Sequence, residues 1–129
     1  MKYPGNLLSD IELLKNLAEV SDAISFDRFQ SQDLQIETKP DLTPVTDADR
    51  AVEEKIRSVL SQERPNDKIV GEEFGSPNSI SNGERYWVID PIDGTKNFLR
   101  GVPIWATLIG LVHRDENGHD RVIAGMVSS

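Results

Sequence analysis

The segment VIDPIDGTKNF, residues 88–98, places several chemically useful side chains close together. Asp90 and Asp93 are separated by a proline and an isoleucine, and Gly94 and Thr95 follow directly. Hard cations such as magnesium prefer oxygen ligands, commonly carboxylates, water and phosphate. Proline restricts the backbone between the aspartates, whereas glycine lets a phosphate group approach the main chain. The segment therefore predicts a site for a metal ion and a phosphate group.

Further acidic residues occur where predicted strands end or helices begin. Asp47 follows a proline-containing loop, and Glu72 and Glu73 follow the short apolar run KIV. Acidic side chains at the carboxyl ends of strands can share one site in an α/β arrangement. If residues 94–98 begin a helix, their free N–H groups favour an anion at the same place.

The same residues also permit a simpler interpretation. The pattern Asp–Pro–x–Asp–Gly is typical of a solvent-exposed turn, and GEE, residues 71–73, is typical of a loop with solvated charges. The residues alone leave both the turn and the metal site open.

Two helices are predicted in the first half of the chain. Ser9 and Glu12 fit a capping box, and the apolar spacing after them predicts a helix to about Phe26. Thr46 or Asp47 caps a second predicted helix, DADRAVEEKIRSVLSQ. Between the helices, residues 29–46 are predicted as a short strand or a mobile loop, since Pro40 and Pro44 interrupt the pattern.

The second half reads as strands. The runs KIV, RYWVID and WATLIGLVHR are rich in large and β-branched residues, which favours strands. The sequence ENGHD predicts a hairpin turn before the returning strand RVIAGMVSS. The overall pattern predicts an α+β fold with two long helices on a largely antiparallel sheet.

Composition limits the classes of function. The chain has 129 residues, a formal charge of −8 and no cysteine, which argues against nucleic-acid binding, disulfides and thiolate metal sites. No segment approaches the ~20 apolar residues that span a membrane, and a cytoplasmic location is expected. The histidines, His113 and His119, fall near the hairpin turn and are expected at the surface rather than as ligands.

The elements PVTDAD, GEEFG and WVIDPIDGTKNF together resemble the inositol monophosphatase superfamily. Within it, KPDLTPVTDADRAVE and DPIDGTKNFLRGVPIWATLIGL are most similar to bacterial histidinol-phosphate phosphatases. The resemblance implies an αβαβα layered sandwich, usually dimeric. It also implies hydrolysis of a small phosphate monoester with about two or three magnesium ions, or manganese in their place.

The resemblance also implies roles for individual residues. Glu72 matches a metal ligand that helps to hold the attacking water, and Asp90 matches a carboxylate that bridges two metal positions. Ile92 matches a metal ligand through its backbone carbonyl, and Asp93 matches a ligand of the second metal.

Other positions match the phosphate and water sites. Gly94 and Thr95 match phosphate-binding amides, and the Thr95 hydroxyl matches a group that activates the water together with Asp47. Glu73 is expected to support the site structurally. Lys96 either touches an anionic substrate or is simply solvated.

One family element has no counterpart in this sequence. The family carries a W-D-x-A element in its second half, whereas neither Trp87 nor Trp105 is followed by aspartate. Residues 1–129 are therefore expected to be the N-terminal metal- and phosphate-binding portion of such a domain, incomplete at the C-terminus. L-histidinol phosphate is the expected substrate and inositol monophosphate the alternative. A catalytically silent half-domain that binds a metal or a partner is a further alternative.

Overall fold

The computed structural model describes residues 2–31, 33–41 and 44–128. The described elements follow the order α1 (Leu7–Arg28), β1 (Ile36–Thr38), β2 (Pro44–Thr46), α2 (Asp47–Glu63), β3 (Lys68–Gly71), β4 (Arg85–Asp93), α3 (Thr95–Leu99), β5 (Ala106–Arg114) and β6 (Asp120–Ser128). None of the helices within these ranges has the length and apolar character needed to cross a membrane.

Helix α1 begins earlier than the predicted capping box. Asn6 is its N-cap, and the Asn6 side chain accepts a hydrogen bond of 3.0 Å from the Ser9 backbone N–H. The capping box predicted at Ser9 and Glu12 is therefore wrong, because Ser9 already lies inside the first turn. Asparagine is as good an N-cap as serine, so the first suitable residue in the chain takes the role.

Helix α2 begins as predicted. Thr46 accepts a hydrogen bond from the Asp49 backbone N–H, and the Asp49 side chain accepts one from the Thr46 N–H, which completes a capping box. Prolines cannot continue a helix, and the chain leaves helical geometry at Arg64, directly before Pro65. Residues 29–46, predicted as a strand or a loop, contain the two short antiparallel strands β1 and β2.

The main sheet has four strands in the order β3-β4-β5-β6. The β3–β4 pair is parallel, and the other two pairs are antiparallel, as the predicted hairpin requires. Helices α1 and α2 pack on one face of this sheet and bury a shared apolar core. Its fully enclosed members are Leu13, Leu14, Leu17, Val52, Ile56, Leu60, Trp87, Ile89, Ile109 and Leu111.

A second, smaller core lies beside α3. Phe98 packs edge to face with Trp105 at a centroid distance of 5.0 Å, and Phe29 lies 5.4 Å from Trp105. Ala48 and Ile92 complete the buried cluster. This cluster joins the start of α2 to the segment that follows β4, and it therefore fixes the two regions that were predicted to share a site.

Candidate metal and phosphate site

The parallel pairing of β3 with β4 brings the predicted acidic residues to one edge of the sheet. Glu72 follows the end of β3 directly, and its backbone N–H donates to the Ile89 carbonyl at 3.1 Å. Asp90 is the next residue along β4. Because parallel strands end at the same edge, two acids that are distant in the sequence become neighbours.

A bulge in β4 explains the spacing of the two aspartates. In a regular strand, residues three apart point to opposite faces. Here Asp90 pairs with Leu108 and Asp93 with Ala106. Between these two pairs, β4 contains one more residue than β5. The extra residue is accommodated where Pro91 has no N–H to donate. The strand was predicted to end at Asp90, whereas the bulged strand continues to Asp93.

The bulge lets both aspartates line one open cleft of about 300 Å³. Most of the predicted site residues also line this cleft, together with Lys39, Asp41 and Pro44, which lie between β1 and α2. The lining residues are Lys39, Asp41, Pro44, Glu72, Glu73, Asp90, Ile92, Asp93, Gly94, Thr95 and Lys96. Neither histidine is among them, and His119 is largely exposed at the hairpin turn, as predicted.

The cleft is strongly negative. Burial, together with the charges of Asp93, Glu72, Asp49 and Glu73, raises the pKa of Asp90 to about 6. Both effects disfavour the charged carboxylate, and both would be relieved by a cation.

A lysine of the chain itself lies close to two of these acids. The Lys39 ammonium lies 3.3 Å from Glu73 Oε1 and 3.7 Å from Glu72 Oε1. Burial would lower the pKa of Lys39, but the charges of Glu73 and Glu72 outweigh it, so the pKa is raised. Burial also raises the pKa of Glu73, against the opposing charge of Lys39. Lys39 therefore remains charged and partly compensates the glutamate pair.

The Thr95 hydroxyl contacts a different aspartate from the one predicted. Its oxygen lies 2.9 Å from Asp49 Oδ2 and 3.1 Å from the Ile92 carbonyl, so its single proton is donated to one of these acceptors. Asp49 is almost fully buried and also accepts hydrogen bonds from the backbone and hydroxyl of Thr46.

The predicted pairing of Asp47 with Thr95 is therefore wrong. Asp47 Oδ2 instead accepts from Arg28 at 2.7 Å, and Asp47 Oδ1 accepts from the Gln35 N–H. The physical reason is helical geometry: residues two apart on α2 point in different directions, and only Asp49 faces the cleft side. The sequence D-A-D offered both acids, and the capping box Thr46-x-x-Asp49 was the signal that distinguishes them.

Gly94 connects the bulged strand to α3, and its conformation requires glycine. Its φ is +90°, and a Cβ there would lie 3.0 Å from the Ile104 carbonyl oxygen. The helix that begins at Thr95 was predicted, and it is short. Lys96, whose role the sequence left open, is exposed and lines the cleft.

The donor chemistry of the cleft suits a hard divalent ion, since its carboxylates and the Ile92 carbonyl are all oxygen ligands. Even so, within residues 2–31, 33–41 and 44–128, no three acidic or histidine side chains are already arranged to hold one ion. The predicted ligands surround one cleft without converging on a single point.

Comparison with known proteins identifies the class to which this fold and site belong. The model of the inositol monophosphatase family matches residues 8–128. The chain therefore belongs to the inositol monophosphatase family, as its motifs predicted.

Two of the similar proteins carry the same name, histidinol-phosphatase. The histidinol-phosphatase of Streptomyces coelicolor is 54% identical over 122 residues, which is 95% of this chain and 44% of that protein. The histidinol-phosphatase of Mycobacterium tuberculosis is 54% identical over 103 residues, 80% of this chain and 39% of that protein. The chain thus spans less than half the length of these relatives.

Solved structures show the same relation. An inositol monophosphatase from Zymomonas mobilis superposes with a TM-score of 0.69 at 39% identity, covering 95% of this chain and 44% of that one. This similarity confirms the predicted fold, the N-terminal portion of the layered sandwich of this family.

Proposed function

We propose that this chain forms part of a magnesium-dependent phosphatase that hydrolyses a small phosphate monoester. The observation that supports the proposal is the cleft, which gathers Glu72, Asp90, Asp93, Gly94 and Thr95 from two segments that are separate in the sequence. The raised pKa of Asp90 supports it further, because clustered carboxylates of this kind are stabilised by a cation.

Glu72, Asp90, Asp93 and the Ile92 carbonyl are the groups that we propose hold the metal. Glu73 supports the turn from which Glu72 projects. Magnesium, when bound, supplies Lewis-acid chemistry: it withdraws charge from phosphoryl oxygens and makes a neighbouring water easier to deprotonate. Manganese has the same ligand preference and is expected to substitute.

The chain's own contribution is to bind the phosphate and orient the water. The backbone N–H groups at Gly94 and Thr95 precede the hydrogen-bonded part of α3 and can donate to phosphate oxygens. When the Thr95 proton is donated to Asp49, the lone pairs of the hydroxyl oxygen are free to accept from a water in the cleft. Asp49 then accepts, through this hydroxyl, the proton that the water loses.

We propose L-histidinol phosphate as the substrate, which would place the protein in histidine biosynthesis. The support is the 54% identity to two proteins named histidinol-phosphatase. Inositol monophosphate is the alternative, since the similar structure from Zymomonas mobilis is an inositol monophosphatase. We further propose a cytoplasmic homodimer, with residues 1–129 forming the metal- and phosphate-binding portion of the domain.

The first test is phosphate release from both substrates, measured with and without Mg²⁺. We expect magnesium-dependent release, faster from L-histidinol phosphate. Asp90→Asn should lower the rate at least about a hundredfold, since even groups that only support metal ligands are worth 10- to 100-fold. Asp27→Asn, the same change at an exposed position of α1, is the matched control. Equal turnover by Asp90→Asn and wild type would refute the metal site. Magnesium binding without turnover would favour the silent-domain alternative.

The second test separates the two aspartates of α2. Asp49→Asn keeps an oxygen that can cap the helix but removes the proton acceptor of Thr95, so we expect a loss of about 10²-fold or more in kcat. Asp47→Asn should change kcat little, because Asp47 contacts Arg28 and Gln35 instead. The reverse ranking would restore the original assignment of Asp47 and contradict the proton path through Asp49.

A further inference from the structure

The turn that follows β3, residues 71–75, carries both glutamates of the cleft and is held by a buried acid of α2. Glu53 has no exposed surface, although its side chain is acidic and lies in a helix. Its carboxylate Oε1 accepts the Glu73 N–H at 2.8 Å, and Oε2 accepts the Phe74 N–H at 2.8 Å. A side chain of α2 thus binds the backbone of the turn directly.

Arg57 completes this arrangement one helical turn further along. Its Nε donates to Glu53 Oε2 at 2.9 Å, and its guanidinium also donates to the Gly75 carbonyl. Both Glu53 oxygens therefore have charge-assisted or backbone partners, which offsets the cost of burying the carboxylate.

Gly71 leaves the space that this contact needs. A Cβ at Gly71 would overlap Glu53 Oε2 and lie 2.5 Å from the Arg57 guanidinium. The glycine therefore leaves room for the Glu53 and Arg57 side chains, which a Cβ would displace. On the other side, the Glu72 N–H donates to Ile89 on β4. The turn is held between α2 and β4, and the Glu72 and Glu73 side chains line the cleft from it.

A single face of α2 consequently organises two parts of the site. Asp49, Glu53 and Arg57 are spaced four residues apart, which places them in one row along the helix. Asp49 contacts Thr95 at the start of α3, and Glu53 contacts the turn that carries Glu72. The distance between these two anchoring points is set by about one turn of a rigid helix.

We propose that Glu53 is a positioning residue of the active site, which fixes the Glu72–Glu73 turn relative to Thr95 through its carboxylate. This inference rests on the proposed function, because it assumes that the turn contributes to metal binding. Loss of the Glu53 carboxylate should loosen the turn and weaken magnesium binding without unfolding the sheet.

The test uses Glu53→Gln with Glu54→Gln as the matched control, since Glu54 is the next residue, is exposed and undergoes the same chemical change. Amide hydrogen exchange by NMR reports the turn, and calorimetric titration with Mg²⁺ reports the site. Glutamine can accept only one of the two turn amides and presents an N–H₂ group to the other. We expect the Glu73 and Phe74 amides to exchange at least about tenfold faster. We also expect the Kd for Mg²⁺ to rise about tenfold or more, while β5 amides keep their protection.

Two outcomes would overturn the role of Glu53, and a third would refute the proposed function. Faster exchange with an unchanged Kd would show that Glu53 is only structural and would overturn the proposal. Unchanged exchange and Kd would overturn it as well. Absence of magnesium binding by the wild-type protein would instead refute the proposed function, which the first two outcomes leave standing.

Gly71→Ala provides an independent route if Glu53→Gln does not fold. The added methyl group displaces the Glu53 carboxylate while every charge is retained. The same faster exchange at Glu73 and Phe74 and the same rise in Kd are expected. Wild-type values for this variant would overturn the proposal.

Discussion

The two ends of β4 both hold clusters of charged side chains, but the two clusters differ in how far their negative charges are compensated by cations of the chain. At the start of the strand, Arg85 lies between Asp10 and Asp67. At its end, Asp90 and Asp93 face further carboxylates across the cleft. The same strand therefore allows a direct comparison of a balanced cluster with an unbalanced one.

The cluster at the start of β4 is balanced by its own residues. Arg85 donates to both oxygens of Asp10, at 2.9 and 3.0 Å, and to Asp67 at 2.9 Å. Tyr3 and Arg64 also donate to Asp10. Burial would raise the pKa of Asp10, but the hydrogen bonds from Arg85, Tyr3 and Arg64 outweigh it, so the pKa is lowered. The charges here are used to join segments of the fold.

The cluster at the end of β4 lacks that balance. Burial and neighbouring acids raise the pKa of Asp90, and the Lys39 ammonium pairs with the glutamates across the cleft. A fold selected only for stability would gain from a cationic partner for Asp90, such as the one that Arg85 provides for Asp10. The difference supports the proposal that the acids at this end bind an external cation.

The largest expected effect is on the balanced cluster. Arg85→Met removes the guanidinium and leaves the buried Asp10 and the partly buried Asp67 short of a partner. Breaking a buried charge pair in this way costs about 3–5 kcal/mol. The free energy of unfolding, measured by urea denaturation, should fall by that amount.

Arg121→Met is the matched control for this prediction, because Arg121 is exposed on β6 of the same sheet. It should change stability by no more than about 0.5 kcal/mol. If Arg85→Met behaves like this control, the cluster at the start of β4 does not stabilise the fold, and the contrast between the two ends fails.

A smaller effect of opposite sign is expected for Asp90→Asn in the absence of metal. The pKa of Asp90 is about 6 in the folded protein, above its ordinary value of 3.8, so the folded state holds the proton more tightly. Ionisation between these pH values therefore costs folding free energy. Asparagine avoids this cost, so the variant should be more stable than wild type by about 1 kcal/mol at about pH 8, allowing for partial solvent screening.

The gain should disappear below about pH 4, where Asp90 is protonated in both states. Urea denaturation with a chelator at both pH values measures it. Asp10→Asn, the same substitution at the balanced end, should instead destabilise the protein at about pH 8. Destabilisation by Asp90→Asn at that pH would contradict the view that Asp90 is retained at a cost to stability.

Much of the fold could be predicted from local patterns. Apolar spacing predicted α1 and α2, and β-branched runs predicted β4, β5 and β6, because both signals depend on neighbouring residues alone. The parallel pairing of β3 with β4 is different, since it depends on contacts between residues that lie 18 positions apart in the sequence. The start of α1 was missed for a local reason: Asn6 and Ser9 are comparable N-caps, and the sequence does not say which one the helix uses.

The candidate site, too, was predicted from the sequence only where it depends on local motifs. The motif around Asp90 and Asp93 predicted the acids of the cleft, but the bulge that turns both toward one cleft is a property of strand pairing. The capping-box spacing Thr46-x-x-Asp49 distinguishes Asp49 from Asp47 in the sequence, but the contact of Asp49 with Thr95 depends on the direction of its side chain on α2. Motif reasoning gave Glu53 no role, because a glutamate in a helix normally faces solvent. Its importance depends on contacts with Glu73 and Phe74, which lie 20 and 21 residues further along the chain.

The smallest expected effect concerns screening of the unbalanced charges. The Debye length falls from roughly 10 Å at 0.1 M salt to about 3 Å at 1 M. Repulsion between Asp90 and its acidic neighbours should therefore weaken, and metal-free wild type should gain a few tenths of a kcal/mol relative to Asp90→Asn at about pH 8. Urea denaturation in sodium chloride and in tetramethylammonium chloride measures the difference, because the two salts share general screening but differ in their ability to enter the cleft. An equal gain in both salts supports repulsion at Asp90, whereas no gain in either would mean that burial alone, and not the neighbouring charges, sets its pKa.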